Sequence, residues 1–229
     1  MQIDYEILVR GNSLRLRDDF LGMSTISIIR LPQGVMLVDT GGYIARLGLL
    51  KALRDRGLAP ADVKYVFLTH LHFDHSHNVD LFPNATFFVS RAEWDYAKNP
   101  HPDDLLMPWC IHQQLEKGAL ELIDGEAALF PGLTSFPTPG HTPGSYSLQF
   151  IAKDGARVII AGDAIKYAKE AITARCDNAF DTIEAGTKSI QRILQFADRI
   201  VPGHFPELIR IEGGAFTWTE GAEVCLIVG

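Results

Sequence analysis

Apolar residues along this chain keep two periods, and the switch between them predicts the architecture. In the first third, runs of strand length dominate. Ser24 to Leu31 and Gly34 to Asp39 flank Pro32-Gln33 and predict a hairpin. Leu47, Leu50 and Leu53 then recur at helical spacing within Ile44 to Arg56, and Gly57 stands where a helix end takes a left-handed residue. Lys64 to Thr69 and Ala85 to Val89 predict two more strands. Ser90-Arg91-Ala92-Glu93 has the form of a capping box opening a short helix. Pro108 to Lys117 predicts a helix that stops at Gly118. Beyond it the period falls to two: Leu120 to Ile123, Leu133 to Phe136, Ser145 to Ile151 and Arg157 to Ala161 read as strands, with Asp154-Gly155 as a hairpin turn. Asp181-Thr182-Ile183-Glu184 is a second capping box, opening a helix to about Ala197. Arg199 to Val201, Leu208 to Ile211 and Val224 to Val228 add strand. Each half thus reads as strands, a helix, then a strand running into a histidine loop. Two β-layers with helices outside satisfy that plan: an α/β, four-layer αββα sandwich. No linker or low-complexity tract divides the chain, so residues 1–229 are expected to form one domain.

Composition narrows the class. The 229 residues, 47% hydrophobic and 21% charged, suit a globular protein with a sizeable core. A net charge of -7 with no basic block argues against a nucleic-acid partner without excluding one. Cys110, Cys176 and Cys225 are scattered and odd in number, which fits a reducing compartment and small packing roles. The acidic start Met1 to Glu6 carries no leader pattern, and no apolar stretch could span a bilayer. The expectation is a cytoplasmic enzyme without a membrane partner; apolar surface would allow a homodimer.

The candidate chemistry sits at strand ends. His70-Leu71-His72-Phe73-Asp74-His75 follows the apolar run Tyr65 to Thr69. Alternation points His70 and His72 into the same space, and histidine is the commonest metal ligand. Three further places match. His141 lies in the stiff loop Thr138-Pro139-Gly140-His141-Thr142-Pro143-Gly144. Asp163 follows the apolar strand at Gly162, and His204 ends Pro202-Gly203-His204. One cation could lie among His70, His72, His141 and Asp163. A second could lie among Asp74, His75, Asp163 and His204, with Asp163 bridging. Nitrogen and oxygen donors without thiolate suit two divalent ions, Zn²⁺ first, then Mn²⁺, Fe²⁺ or Co²⁺.

In order and spacing, these motifs resemble the metallo-β-lactamase superfamily, from Val38-Asp39-Thr40-Gly41 to His204. The resemblance implies the αββα fold with metals at one edge between the sheets. It also implies that Asp39 bonds a ligand histidine. His75 with Asp163 resembles the glyoxalase II, lactonase and phosphodiesterase branches; β-lactamases with a cysteine ligand carry it where Asp163 stands. Lactonases of acyl-homoserines place a tyrosine where this chain has Lys166, with Tyr167 next. The implied activity is hydrolysis of a small ester, lactone or thioester by a metal-bridged hydroxide, with Asp74 orienting the nucleophile and carrying a proton. Two alternatives share the scaffold: an iron persulfide dioxygenase and a metal-dependent ribonuclease.

Other residues carry weaker expectations. His77, His101 and His112 read as ordinary surface histidines, Lys188 and Arg192 as a solvated helix face, and Trp94, Met107 and Trp109 as packing residues. Lys166 and Tyr167 could serve either the loop or a substrate. Arg15, Arg17 and Phe20 belong to an early loop that could cover the site.

Overall fold

The computed structural model describes residues 1–218 and residue 225. One sheet is built in chain order from β1 (Asp4–Val9), β2 (Ile26–Leu31), β3 (Gly34–Val38), β4 (Val63–Phe67), β5 (Thr86–Ser90) and β6 (Ala119–Ile123). Its first three strands pair antiparallel and β3 to β6 pair parallel. Parallel neighbours need crossovers. These carry α1 (Arg46–Arg54), α2 (Phe73–Ser76), α3 (Arg91–Tyr96) and α4 (Ile111–Leu115). The second sheet contains β7 (Ala127–Phe130), β8 (Leu133–Pro137), β9 (Tyr146–Ile151), β10 (Arg157–Gly162), β11 (Arg199–Pro202), β12 (Leu208–Arg210) and β13 (Phe216–Thr217), in spatial order β13-β12-β11-β10-β9-β8-β7. Among its described strands only β10 and β11 run parallel, and their crossover contains α5 (Ala168–Thr173) and α6 (Ile183–Phe196).

Alternation along each strand sorts side chains into layers. Met36 and Val38 of β3 enter the core between the sheets, with Phe67, Leu148, Phe150, Val158 and Ile160. Their neighbours Leu37 and Val66 face outward against Leu49, Leu53 and Trp94. On the far side Ile159 and Ile200 pack against Ile190 and Ile193 of α6. The result is the expected αββα sandwich.

Several local expectations need correction. Helix α1 is preceded by a 3-10 turn, Tyr43–Ala45, and buries Ala45, Leu49, Ala52 and Leu53; Leu47 points to solvent. These residues, spaced i, i+4, i+7, i+8, make the buried stripe, and of the expected leucine row only Leu53 falls on it. Within Pro108 to Lys117 only Ile111–Leu115 is helical. The cap of α6 is Thr182, whose hydroxyl accepts from Ala185 N at 3.0 Å; Glu184 pairs with Lys188 instead of closing a box. At α3 the box is half made. Ser90 Oγ accepts from Glu93 N at 2.9 Å, but the Glu93 carboxylate turns away to other partners. The strand expected over Val224 to Val228 falls, apart from Cys225, outside the described residues.

Candidate metal centre

Every predicted ligand lies on a turn leaving a strand at the same edge of the sandwich. β4 runs into His70 and His72, and the single turn of α2 places Asp74 and His75 one residue apart. The β8–β9 turn carries His141, β10 ends at Asp163, and β11 ends just before His204. None of the seven is more than 6% exposed, so each polar atom needs a partner inside the protein.

The seven side chains converge. Ligand atoms of His70, His72 and His141 lie within 4.8 Å of one another, as do those of His70, His75 and Asp163, and those of Asp74, His75 and His204. Asp163 stands between the groups. Its Oδ1 is 3.3 Å from His75 Nε2 and 3.4 Å from His204 Nε2, and its Oδ2 is 3.3 Å from His141 Nε2. Asp74 Oδ2 is 3.3 Å from His204 Nε2 and 3.8 Å from His75 Nε2. Besides Ser27 Oγ, four buried side-chain atoms among the described residues have no hydrogen-bond partner, all on candidate ligands: His70 Nε2, His75 Nε2, His141 Nδ1 and Asp163 Oδ1. Unpaired buried donors and acceptors cost free energy. Three of these four belong to one ligand group, so the donor set fits divalent cations.

Surrounding groups fix the imidazoles. Asp39 Oδ2 lies 2.7 Å from His75 Nδ1, as the resemblance implied. Asp104 Oδ2 lies 3.0 Å from His72 Nε2, Thr69 Oγ1 lies 3.1 Å from His70 Nδ1, and the carbonyls of Asn12 and Met23 face His204 Nδ1 at 3.3 and 3.0 Å. Each contact occupies one ring nitrogen and leaves the other turned toward the cluster. Sequence reasoning missed Asp104. It sits in a Pro-Asp loop with nothing to distinguish it from its neighbour Asp103.

The charges are strongly coupled. Burial, reinforced by neighbouring imidazoles, pushes His70 well below its ordinary pKa. Burial also holds His141 well below, against the pull of Asp163. Both are therefore neutral, the form that coordinates metal. For His75 burial acts downward too, but Asp163, Asp39 and Asp74 outweigh it and raise the imidazole well above its usual value. Burial would raise Asp163, yet His204, His75 and His141 hold it far below.

The remaining candidates divide. Phe20 meets the His204 ring edge-on at 6.0 Å, on a ribbon closed by the bridges Asn12 with Met23 and Arg15 with Phe20, so the early loop does border the site. Phe180 presents its ring to His72 at 5.6 Å and to His141 at 6.0 Å. Lys166 is buried, with Nζ 2.7 Å from Glu170 Oε1, and the Tyr167 hydroxyl donates to Asp177. His77 packs on Tyr43 outside the ligand groups, and His101 is exposed. His112 is not solvated: its Nε2 lies 2.9 Å from the Trp94 carbonyl and its ring packs on the indole. Trp109 is 87% exposed, against its expected packing role, whereas Trp94 and Met107 join the core. Arg192 is not merely solvated, since it pairs with Glu126 and covers the Phe136 ring.

The Metallo-beta-lactamase superfamily profile matches residues 19–204. The chain belongs to the metallo-β-lactamase superfamily. A relative in Xenopus laevis, metallo-beta-lactamase domain-containing protein 1, is 31% identical over 215 residues, covering 93% of this chain and 84% of its own length. The N-acyl homoserine lactonase AttM of Rhizobium radiobacter is 30% identical over 176 residues, 70% of this chain and 65% of the lactonase. Among solved structures, AidC, a dizinc quorum-quenching lactonase with a product bound, superposes with a TM-score of 0.72 at 22% identity, covering 91% of this chain and 83% of AidC. Superfamily membership and the histidine–aspartate groups together support a metal-dependent hydrolase. Among the described residues no helix is long and apolar enough to cross a membrane.

Gly203 is needed at this edge for a steric reason. A Cβ there would sit 1.9 Å from Asp163 Oδ1 and 3.1 Å from the Gly162 carbonyl carbon. Gly203→Ala is expected to push the carboxylate aside and weaken metal binding by at least about tenfold, while the fold survives. Metal titration alongside circular dichroism checks this; unchanged affinity would show that the carboxylate has room to move.

Proposed function

We propose that this chain is a dinuclear metal-dependent hydrolase acting on a small ester, lactone or thioester. The observation that carries the reading is the place of Asp163, within 3.4 Å of imidazoles from two donor groups. In this reading His70, His72 and His141 hold one ion; Asp74, His75 and His204 hold the other; Asp163 serves both. The all-nitrogen-and-oxygen donor set favours Zn²⁺, with Mn²⁺ or Fe²⁺ as substitutes. When bound, such a pair supplies Lewis acidity toward a scissile carbonyl and a water whose pKa drops from 15.7 to roughly 7.

The protein's own groups do the positioning. Asp39, Asp104, Thr69 and the carbonyls of Asn12 and Met23 hold one nitrogen of each of four ligand imidazoles. Asp74 orients the attacking water and passes its proton to the leaving group. Phe20 and Phe180 give the substrate apolar walls beside the two donor groups. The lactonase activity named for AttM and AidC supports a compact acyl substrate of this kind.

Metal analysis joined to a panel of thioester, lactone, phosphodiester and β-lactam substrates tests the proposal. Two equivalents of metal, loss of turnover on chelation and recovery with one particular ion are expected, on an ester-type substrate. Turnover confined to RNA would replace the substrate class. A single iron with oxygen uptake on a glutathione persulfide would replace the reaction.

A further inference from the structure

Glu93 is fully buried on the first turn of α3, yet it is not one of the predicted ligands. Its carboxylate spans two loops. Oε1 accepts the Leu71 N–H at 2.9 Å, and Oε2 accepts the Thr142 hydroxyl at 2.6 Å. Leu71 lies between His70 and His72, and Thr142 follows His141. The same helix start makes further contacts. Ser90 Oγ accepts from Glu93 N and donates to the Gly144 carbonyl at 2.5 Å. A Cβ on Gly144 would fall 2.0 Å from Glu93 N, so the His141 loop rests directly on the backbone of α3.

A buried carboxylate is a costly way to fill space. As a cap it would bond the Ser90 amide, which it does not do. Its reach matches one task, fixing the separation of the His70–His72 loop from the His141 loop. We infer that Glu93 is a positioning residue for one donor group only, His70, His72 and His141, and sets that group's affinity for its cation. The inference rests on the two-ion reading above. Its side-chain contacts stop at Leu71 and Thr142, ahead of the α2 turn that carries Asp74 and His75 and away from the β11 end that carries His204, so the other group is left to Asp39 and to the ribbon of residues 12–23.

Zinc titration of the metal-stripped protein against a chromophoric chelator tests this. Wild type is expected to bind two equivalents. Glu93→Ala should keep one tight equivalent and weaken the other by at least about tenfold. Glu93→Gln should recover most of the loss, since its amide accepts from Leu71 N–H and donates to Thr142 Oγ1. Thr142→Val, which leaves Glu93 in place, should weaken the same equivalent, and the double variant Glu93→Ala, Thr142→Val should be less than additive. Asp74→Ala should weaken the opposite equivalent. Should Glu93→Ala not fold, Glu93→Gln and Thr142→Val still decide the matter. Equal weakening of both equivalents, or none in either Thr142→Val or Glu93→Ala, overturns the inference and leaves the two-ion reading intact. A wild type that takes up no zinc overturns both.

Discussion

On the proposed two-ion reading, Asp163→Ala is expected to lose both cations and to lower turnover on the order of 10³-fold. The magnitude follows from the several kcal/mol that Lewis-acid stabilisation of a transition state supplies, at about 1.36 kcal/mol per decade of rate. Its oxygens lie 3.3 to 3.4 Å from His75, His141 and His204, imidazoles of both donor groups. The three imidazoles also keep this carboxylate ionised, because their combined effect outweighs burial and holds its pKa far below the usual range. Removing it leaves the remaining ligands without their common counter-charge. Plasma-emission metal analysis and steady-state kinetics with saturating zinc check the result. Full metal content with unimpaired turnover would mean that Asp163 bridges nothing.

The convergence of the candidate donors was legible because the chemistry restricts them to few residue types and the fold restricts them to strand ends. His70, His72, Asp74, His75, His141, Asp163 and His204 all stand where an apolar run stops, and burial at such a place demands a partner. The supporting groups were not legible. Asp104 meets His72 across 32 positions, and the Met23 carbonyl meets His204 across 181. Neither contact leaves a local pattern. Glu93 had a local pattern, but the pattern assigned it to the wrong partner. The Ser90 cap forms as expected, and the tertiary contacts to Leu71 and Thr142 then claim the carboxylate.

The fold follows the same division. Strands such as β3 and β10, buried on both faces, announce themselves as apolar runs. β1 does not, because Asp4–Val9 is half-buried throughout and mixes Asp4, Tyr5 and Glu6 with Ile7, Leu8 and Val9. Its place comes from pairing with β2, which only the assembled sheet supplies. Helix α5 is hidden for a different reason. It is a single six-residue stretch whose buried residues are Ala168, Ala171 and Glu170, the last paired with Lys166 ahead of the helix, giving no apolar stripe to count.

Asp39 couples fold and site, and two substitutions there are expected to separate the roles. It holds a left-handed backbone at φ 61°, tolerable for Asp or Asn and costlier for Ala. Its Oδ1 accepts Thr69 N at 2.8 Å, and its Oδ2 accepts Thr69 Oγ1 at 2.9 Å as well as facing His75 Nδ1 at 2.7 Å. Asp39→Ala strands these donors in the core and adds backbone strain, so a loss of about 3–5 kcal/mol of stability is expected, together with weaker metal binding. Asp39→Asn keeps the backbone preference and the acceptor for Thr69 N, which limits the expected cost to about 1 kcal/mol. Its amide, however, can only donate toward His75 Nδ1. The imidazole must then carry its proton on Nε2, the nitrogen turned toward Asp163 and Asp74, and metal affinity should fall about 10–100-fold. Denaturant unfolding of the metal-free variants, paired with zinc titration, separates the two effects. If Asp39→Asn binds zinc like wild type, His75 does not depend on Asp39 for its tautomer, and the carboxylate at this position serves the fold alone.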